Sequence, residues 1–118
     1  MGNSVQLSVS QTSAGNVPIL AVNGEVDVYS APELKDKISE LIQSGQTTLI
    51  VDLSGVAFLD STGLGALVEA RSATSEAGGS LPIVCSQDRI LKLFTITGLD
   101  GVFSIHPDVG AAVAELAG

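Results

Sequence analysis

Asp60 and Ser61 are the residues of this 118-residue chain best placed to do chemistry. They follow an apolar run, Leu49-Ile50-Val51, that reads as a buried strand. They precede Leu64, Leu67 and Val68, which fall at helical spacing. The pair therefore stands where a helix N-cap belongs. The N–H groups of a first helical turn have no intrahelical partners and favour an oxygen or an anion. A hydroxyl at such a place can accept a phosphoryl group, because the helix N-terminus stabilises the added charge. Thr62 is a second hydroxyl beside it. Gly63 and Gly65 lack Cβ atoms and are expected to leave the turn open to another molecule. The structural alternative is that Ser61 only caps the helix, a role worth about 0.5–2 kcal/mol.

Other chemistries fit poorly. A phosphate-binding P-loop needs a Lys after its glycines, and Leu64-Gly65-Ala66 supplies none. The dinucleotide glycine fingerprint is absent. A Ser nucleophile needs a base, and the lone His106 falls in a late strand or loop with no evident partner. One Cys and one His cannot furnish a zinc site. Asp52 ends the central strand as the phosphoacceptor of response-regulator receivers does, but the Lys expected after the last strand is missing. An Asp-Ser pair also occurs in acyl carrier proteins, which are helical bundles; the strand pattern here argues against one. No catalytic residue, metal or cofactor is expected.

The elements that must position Asp60 and Ser61 can be read in order. Val5, Leu7 and Val9 alternate with polar residues, as in a half-buried strand. Gln11 to Asn16 suits a hairpin connection, and Val17 to Val22 a second, antiparallel strand. Gly24-Glu25-Val26-Asp27 brings two carboxylates to a strand terminus. Ser30 and Glu33 form a capping box, with Pro32 tolerated in the first turn. Leu34, Ile38, Leu41 and Ile42 make the apolar stripe of that helix, which Gly45 ends. Thr48 to Leu53 is the central strand, and the helix after Ser61 runs to about Ala77. Leu81 to Cys85 is a strand that Pro82 confines to an edge or leaves unpaired at its start. Ser86 caps a helix carrying Ile90, Leu91 and Phe94. Val102 to Ile105 is a short last strand, and Pro107-Asp108 opens a helix with Val109, Val113 and Leu116. Alternating strands and helices imply right-handed crossovers. Sites in such sheets form outside the strands' carboxyl ends. Asp27 and the Asp60-Ser61 turn should therefore share one rim.

Composition sets the surroundings. Hydrophobic residues make up 45% of the chain, with no Trp, one Tyr and three Phe, so the core must be aliphatic. That suits parallel strands buried on both faces. Five basic against thirteen acidic residues give a net charge of −8, which argues against a nucleic-acid surface and against adsorption to anionic lipid. Cys85 stands alone, which fits a reducing compartment, and reads as a small core residue. With no secretory pattern and no run long enough to span a bilayer, a cytoplasmic protein of one domain, residues 1–118, is expected.

Two motifs carry a resemblance that covers Val5 to Leu116. The first is Gly24-Glu25-Val26-Asp27 followed by Ala31-Pro32-Glu33-Leu34. The second runs from Asp52 through Asp60-Ser61-Thr62-Gly63-Leu64-Gly65. Together with Ile96-Thr97-Gly98-Leu99, they resemble the anti-sigma-factor antagonists, the single-domain branch of the STAS family, and actinobacterial members in particular. The resemblance implies an α/β fold. Its single mixed sheet would have about four to five strands, an antiparallel N-terminal pair and then parallel ones, with about four helices. It implies that the unphosphorylated form binds an anti-sigma factor, a serine kinase of the histidine-kinase-like ATPase type, and frees the sigma factor. Ser61 would be the acceptor, a PP2C-type phosphatase would reverse the modification, and the protein would be no enzyme. Asp27, Asp60, Ser61, Thr62, Gly63, Leu64 and Gly65 would form the partner surface. The competing expectation is a STAS domain that senses a ligand or nucleotide and is never phosphorylated.

Overall fold

A computed structural model describes residues 7–117. Val5, expected in the first strand, lies outside the described residues. Strand β1 (Ser8–Ala14) and strand β2 (Val17–Val26) pair antiparallel without a break. The polar stretch from Gln11 is therefore strand rather than loop, and the connection shrinks to Gly15-Asn16. Gly15 has φ +61°, a positive value at the first loop position, as a type II′ hairpin turn requires. The exposed Ser and Thr side chains look like a loop because they lie on the outermost strand, where little is buried.

Helix α1 (Ala31–Gln43) leads to strand β3 (Ile50–Leu59), helix α2 (Ser61–Glu76) and strand β4 (Ile83–Val84). Helix α3 (Asp88–Ile96), a 3-10 turn at Leu99–Gly101, strand β5 (Ile105–His106) and helix α4 (Val109–Ala117) complete the order. The sheet runs β1-β2-β3-β4-β5, parallel from β2 onward. Among the described residues this is the expected mixed sheet with four α-helices.

The helices divide between the two faces. Leu34 and Ile38 of α1, Leu64 and Leu67 of α2, and Ile90 and Phe94 of α3 pack with Leu20, Val22, Val51 and Leu53. On the other side Ala112 of α4 joins Ile19, Ile50 and Val84. Each such aliphatic side chain stabilises the fold by roughly 1.5–3 kcal/mol when fully buried. The aromatic contribution is small, as composition requires: Phe94 and Phe103 meet edge to face at 5.7 Å.

Strand β3 departs most from expectation. It continues past Leu53, where the strand was expected to end, to Leu59. Against β2 its register slips twice: Ala21 faces Asp52 but Asn23 faces Gly55, and Gly24 faces Val56 but Glu25 faces Phe58. Each slip inserts one extra residue in β3, so the alternation that marks a strand is lost. Gly55 is required in this segment, since a Cβ there would lie 1.7 Å from Asn23 Oδ1.

Several local expectations are corrected. Ser86 does not cap α3; the cap position is Gln87, whose side chain instead reaches β3. Ser30 makes no side-chain cap bond, so no capping box forms with Glu33. The last strand is Ile105–His106, because Leu99–Gly101 coils into a 3-10 turn and pushes it later. Strand β4 is interior rather than at an edge, and Pro82 sits just before it, its carbonyl accepting from Val51 N–H at 3.0 Å. His106 does have partners: Nε2 lies 2.6 Å from Glu115 Oε1 and 2.9 Å from Ser104 Oγ. Both meet the same ring nitrogen, whereas a catalytic triad uses the two nitrogens for different partners. The Ser104 hydroxyl holds the Glu115 carboxyl below its usual range. This cluster ties α4 to β5.

Candidate functional site

The parallel register ends with Val26 opposite Leu59, and Asp60 N–H donates to Val26 O at 3.2 Å. Asp27 and Asp60 are the next residues of two adjacent strands. The topology thus brings both carboxylates to one rim.

Asp60, not Ser61, caps α2. Its backbone is extended, its Oδ1 accepts from Gly63 N–H at 3.0 Å, and its carbonyl accepts from Leu64 N–H at 3.0 Å. Ser61 is therefore the first helical residue, exposed, with its hydroxyl free of the capping duty expected for it. Thr62 is exposed beside it. The N–H of Gly63 already serves a carboxylate, so an anion added on Ser61 would share the helix end with Asp60. The helix N-terminus offsets such a charge by about 0.3–1 kcal/mol, and the neighbouring carboxylate opposes that.

Asp27 holds its own turn. Its Oδ1 accepts from Tyr29 N–H at 2.9 Å and Ser30 N–H at 3.0 Å. Ser30 Oγ donates to Glu25 O at 2.8 Å and accepts from Asp27 N–H at 2.9 Å. The Ser30 N–H, foremost among these donors, keeps the Asp27 carboxyl below its ordinary value of 3.8. A lowered folded value means the turn is supported above that ordinary value and loses this support as pH falls through the lowered one. The Tyr29 amide resonance should therefore hold steady from neutral pH down to about 4 and shift only below it, an outcome an NMR pH titration checks.

The two glycines differ: Gly65 leaves the open space expected of it, and Gly63 does not. Gly63 is buried; a Cβ there would lie 2.5 Å from Leu59 Cδ1 and 2.8 Å from Val26 Cγ1. It lets α2 close onto the strand ends and does not open the turn. Leu64 is likewise buried, at 5% exposure, so its side chain belongs to the core and not to a partner surface. Gly65 has open space where a Cβ would point. It lines a shallow groove between α1 and α2 with Val28, Pro32, Lys35, Thr62 and Glu69. Lys35 and Glu69 pair across it at 2.9 Å. Gly63→Ala should lower stability by about 1–2 kcal/mol through overpacking. Gly65→Ala should raise it by up to about 1 kcal/mol through helix propensity. Urea melts of the two variants check the contrast.

Val28 and Tyr29, the residues after Asp27, are exposed apolar side chains that sequence reading did not single out. They are 56% and 90% exposed on this rim. Their types gave no warning, because an apolar pair before a helix reads as core. Cys85 is buried, and burial pushes its thiol up, away from reactivity. Among the described residues no three or more His, Cys, Asp or Glu gather to hold a metal, and no helix is long and apolar enough to cross a membrane.

Comparison with known proteins follows the same lines. Over 84 residues the chain is 40% identical to an anti-sigma-B factor antagonist of Bacillus subtilis, spanning 71% of this chain and 76% of that one. A solved anti-sigma factor antagonist from Mycobacterium paratuberculosis shares the fold at TM-score 0.85 and 25% identity, covering 96% of both chains. The Bacillus cell fate determinant SpoIIAA in its phosphorylated form matches at TM-score 0.71 and 21% identity over 93% of this chain and 98% of that one, a likeness of fold alone. Residues 9–112 match the family model for the STAS domain. The chain belongs to the STAS domain family.

Proposed function

We propose that this chain is an anti-sigma factor antagonist, and that phosphorylation of Ser61 switches it off. The observation that carries this reading is the position of Ser61: an exposed hydroxyl at the first residue of α2, relieved of capping by Asp60. The name of the 40% identical relative supplies the partner class. The partner is an anti-sigma factor that is itself a serine kinase of the histidine-kinase-like ATPase type. A PP2C-type phosphatase restores the active form.

The chain acts as a ligand and a substrate. Ser61 Oγ attacks the γ-phosphorus of ATP held by the kinase. The new O–P bond forms as the bond to ADP breaks, and the hydroxyl proton passes to a base of the kinase. The product carries about −1.5 to −2 added charge beside Asp60. A partner surface packed on the rim must then desolvate and face that charge. A penalty of a few kcal/mol lowers affinity by a hundredfold or more, since about 1.4 kcal/mol is tenfold. No refolding is required.

A mass spectrum after incubation with ATP and the anti-sigma kinase tests the reading. One added phosphoryl group, mapped to Ser61 by fragmentation, is the expected result. Tight partner binding with no phosphoryl transfer under any kinase tried would favour a ligand- or nucleotide-sensing module instead.

A further inference from the structure

Tyr29 is 90% exposed, yet its backbone belongs to a hydrogen-bonded turn. Its N–H donates to Asp27 Oδ1, Ser30 N–H donates to the same oxygen, and Ser30 Oγ ties the turn to Glu25 O. Val28, 56% exposed, stands next to it and lines the groove with Thr62 and Gly65. A large apolar ring left in water brings the fold no burial. Three side-chain hydrogen bonds fix the turn that carries it, so the backbone beneath the ring needs little ordering when a partner docks. Tyr is among the residues that most often carry binding energy, since its ring fills a pocket and its hydroxyl stays satisfied.

We propose that Tyr29, held out by the Asp27 turn, is the anchor by which this chain engages its anti-sigma factor, entering an apolar pocket bordered by Lys or Arg. This rests on the function proposed above. The border is basic because the chain that presents the ring carries a net charge of −8; an acidic border would repel it. Asp27 is then a positioning residue: one of its oxygens is committed to the turn that aims Tyr29.

The test titrates the wild type and four variants against the anti-sigma-B factor of Bacillus subtilis by calorimetry. Tyr29→Ala should weaken binding by about thirtyfold or more with no fall in melting temperature, while Tyr29→Phe stays within about threefold. Asp27→Asn keeps an Oδ1 acceptor, so it should hold the Tyr29 amide protected from hydrogen exchange and retain most affinity. Asp27→Ala should lose both. Wild-type binding with Tyr29→Ala equally tight would overturn the anchor. Asp27→Asn as weak as Asp27→Ala, with the amide still protected, would show that Asp27 contacts the partner by charge and overturn its positioning role. A wild type that does not bind at all defeats the antagonist reading, and the anchor with it.

Discussion

Ser61→Ala is expected to take up no phosphoryl group, to keep its affinity for the anti-sigma factor, and to melt with the wild type. The last clause follows from the structure: Asp60 supplies the cap, so the Ala variant forgoes none of the roughly 0.5–2 kcal/mol that loss of an N-cap costs. Ala is also the better helix former at an exposed position. Phosphate incorporation in this variant would move the acceptor to Thr62, the neighbouring exposed hydroxyl, and Thr62→Ala would then abolish it.

The same position separates charge from shape. Ser61→Asp adds about one charge where phosphoserine adds nearly two and three acceptor oxygens. It should weaken partner binding, but less than phosphorylation does. If repulsion with the rim carboxylates and desolvation dominate, added salt restores part of the affinity, because exposed charges are screened within about 10 Å at 0.1 M. If bulk dominates, Ser61→Leu blocks binding as strongly, and salt changes little. Titrating the wild type and both variants at two ionic strengths distinguishes the outcomes. Electrostatics is the expected winner: Asp60 already occupies the Gly63 N–H, so the helix end has little capacity left to neutralise a second anion. Undiminished binding by Ser61→Asp at low salt would sink that account.

What was legible in the sequence followed periodicity and end signals. The stripe of Leu34 and Ile38, the apolar Leu49-Ile50-Val51 and the Asp-Ser before Leu64 each announce an element over a few residues, and the common rim of Asp27 and Asp60 follows from element order alone. The division of labour between Asp60 and Ser61 was not legible, because both residue types cap helices and only the backbone decides which does. Gly63 and Gly65 are two residues apart and look alike. One faces Leu59 and Val26 and the other a groove, a difference set by tertiary packing. Tyr29 was missed because nothing local says that its ring has no core to enter.

The least legible feature predicts the largest loss of stability. Gln87 Nε2 donates to Leu53 O at 2.7 Å and Val56 O at 2.9 Å, with Ser54 O at 3.1 Å, while its Oε1 accepts from Ser86 N–H at 3.1 Å. The carbonyls lie 31 to 34 residues away in the chain, so no local pattern could reveal the contact. Strand β3 pairs with β4 only at Val51 and Asp52, and Gln87, three residues past the end of β4, supplies a donor to these carbonyls beyond that pairing. Gln87→Leu keeps the size but leaves carbonyls of the buried residues Leu53 and Val56 unpaired. At about 1–3 kcal/mol for each unsatisfied group, partly relieved by water at the exposed Ser54, a loss of about 2–4 kcal/mol is expected, or a fall of roughly 10 °C in melting temperature. Gln87→Glu should be worse, since it sets a carboxylate against carbonyl oxygens. The damage should reach function as well, because β3 beyond Leu53 delivers Asp60 and Ser61 to the rim. Phosphorylation of Ser61 in Gln87→Leu should slow well below the melting transition, while Gly65→Ala, which leaves β3 intact, should stay folded with this strand undisturbed. A Gln87→Leu melt within about 0.5 kcal/mol of wild type would mean that water serves those carbonyls as well as Gln87 does, and that the bulged strand needs no clamp.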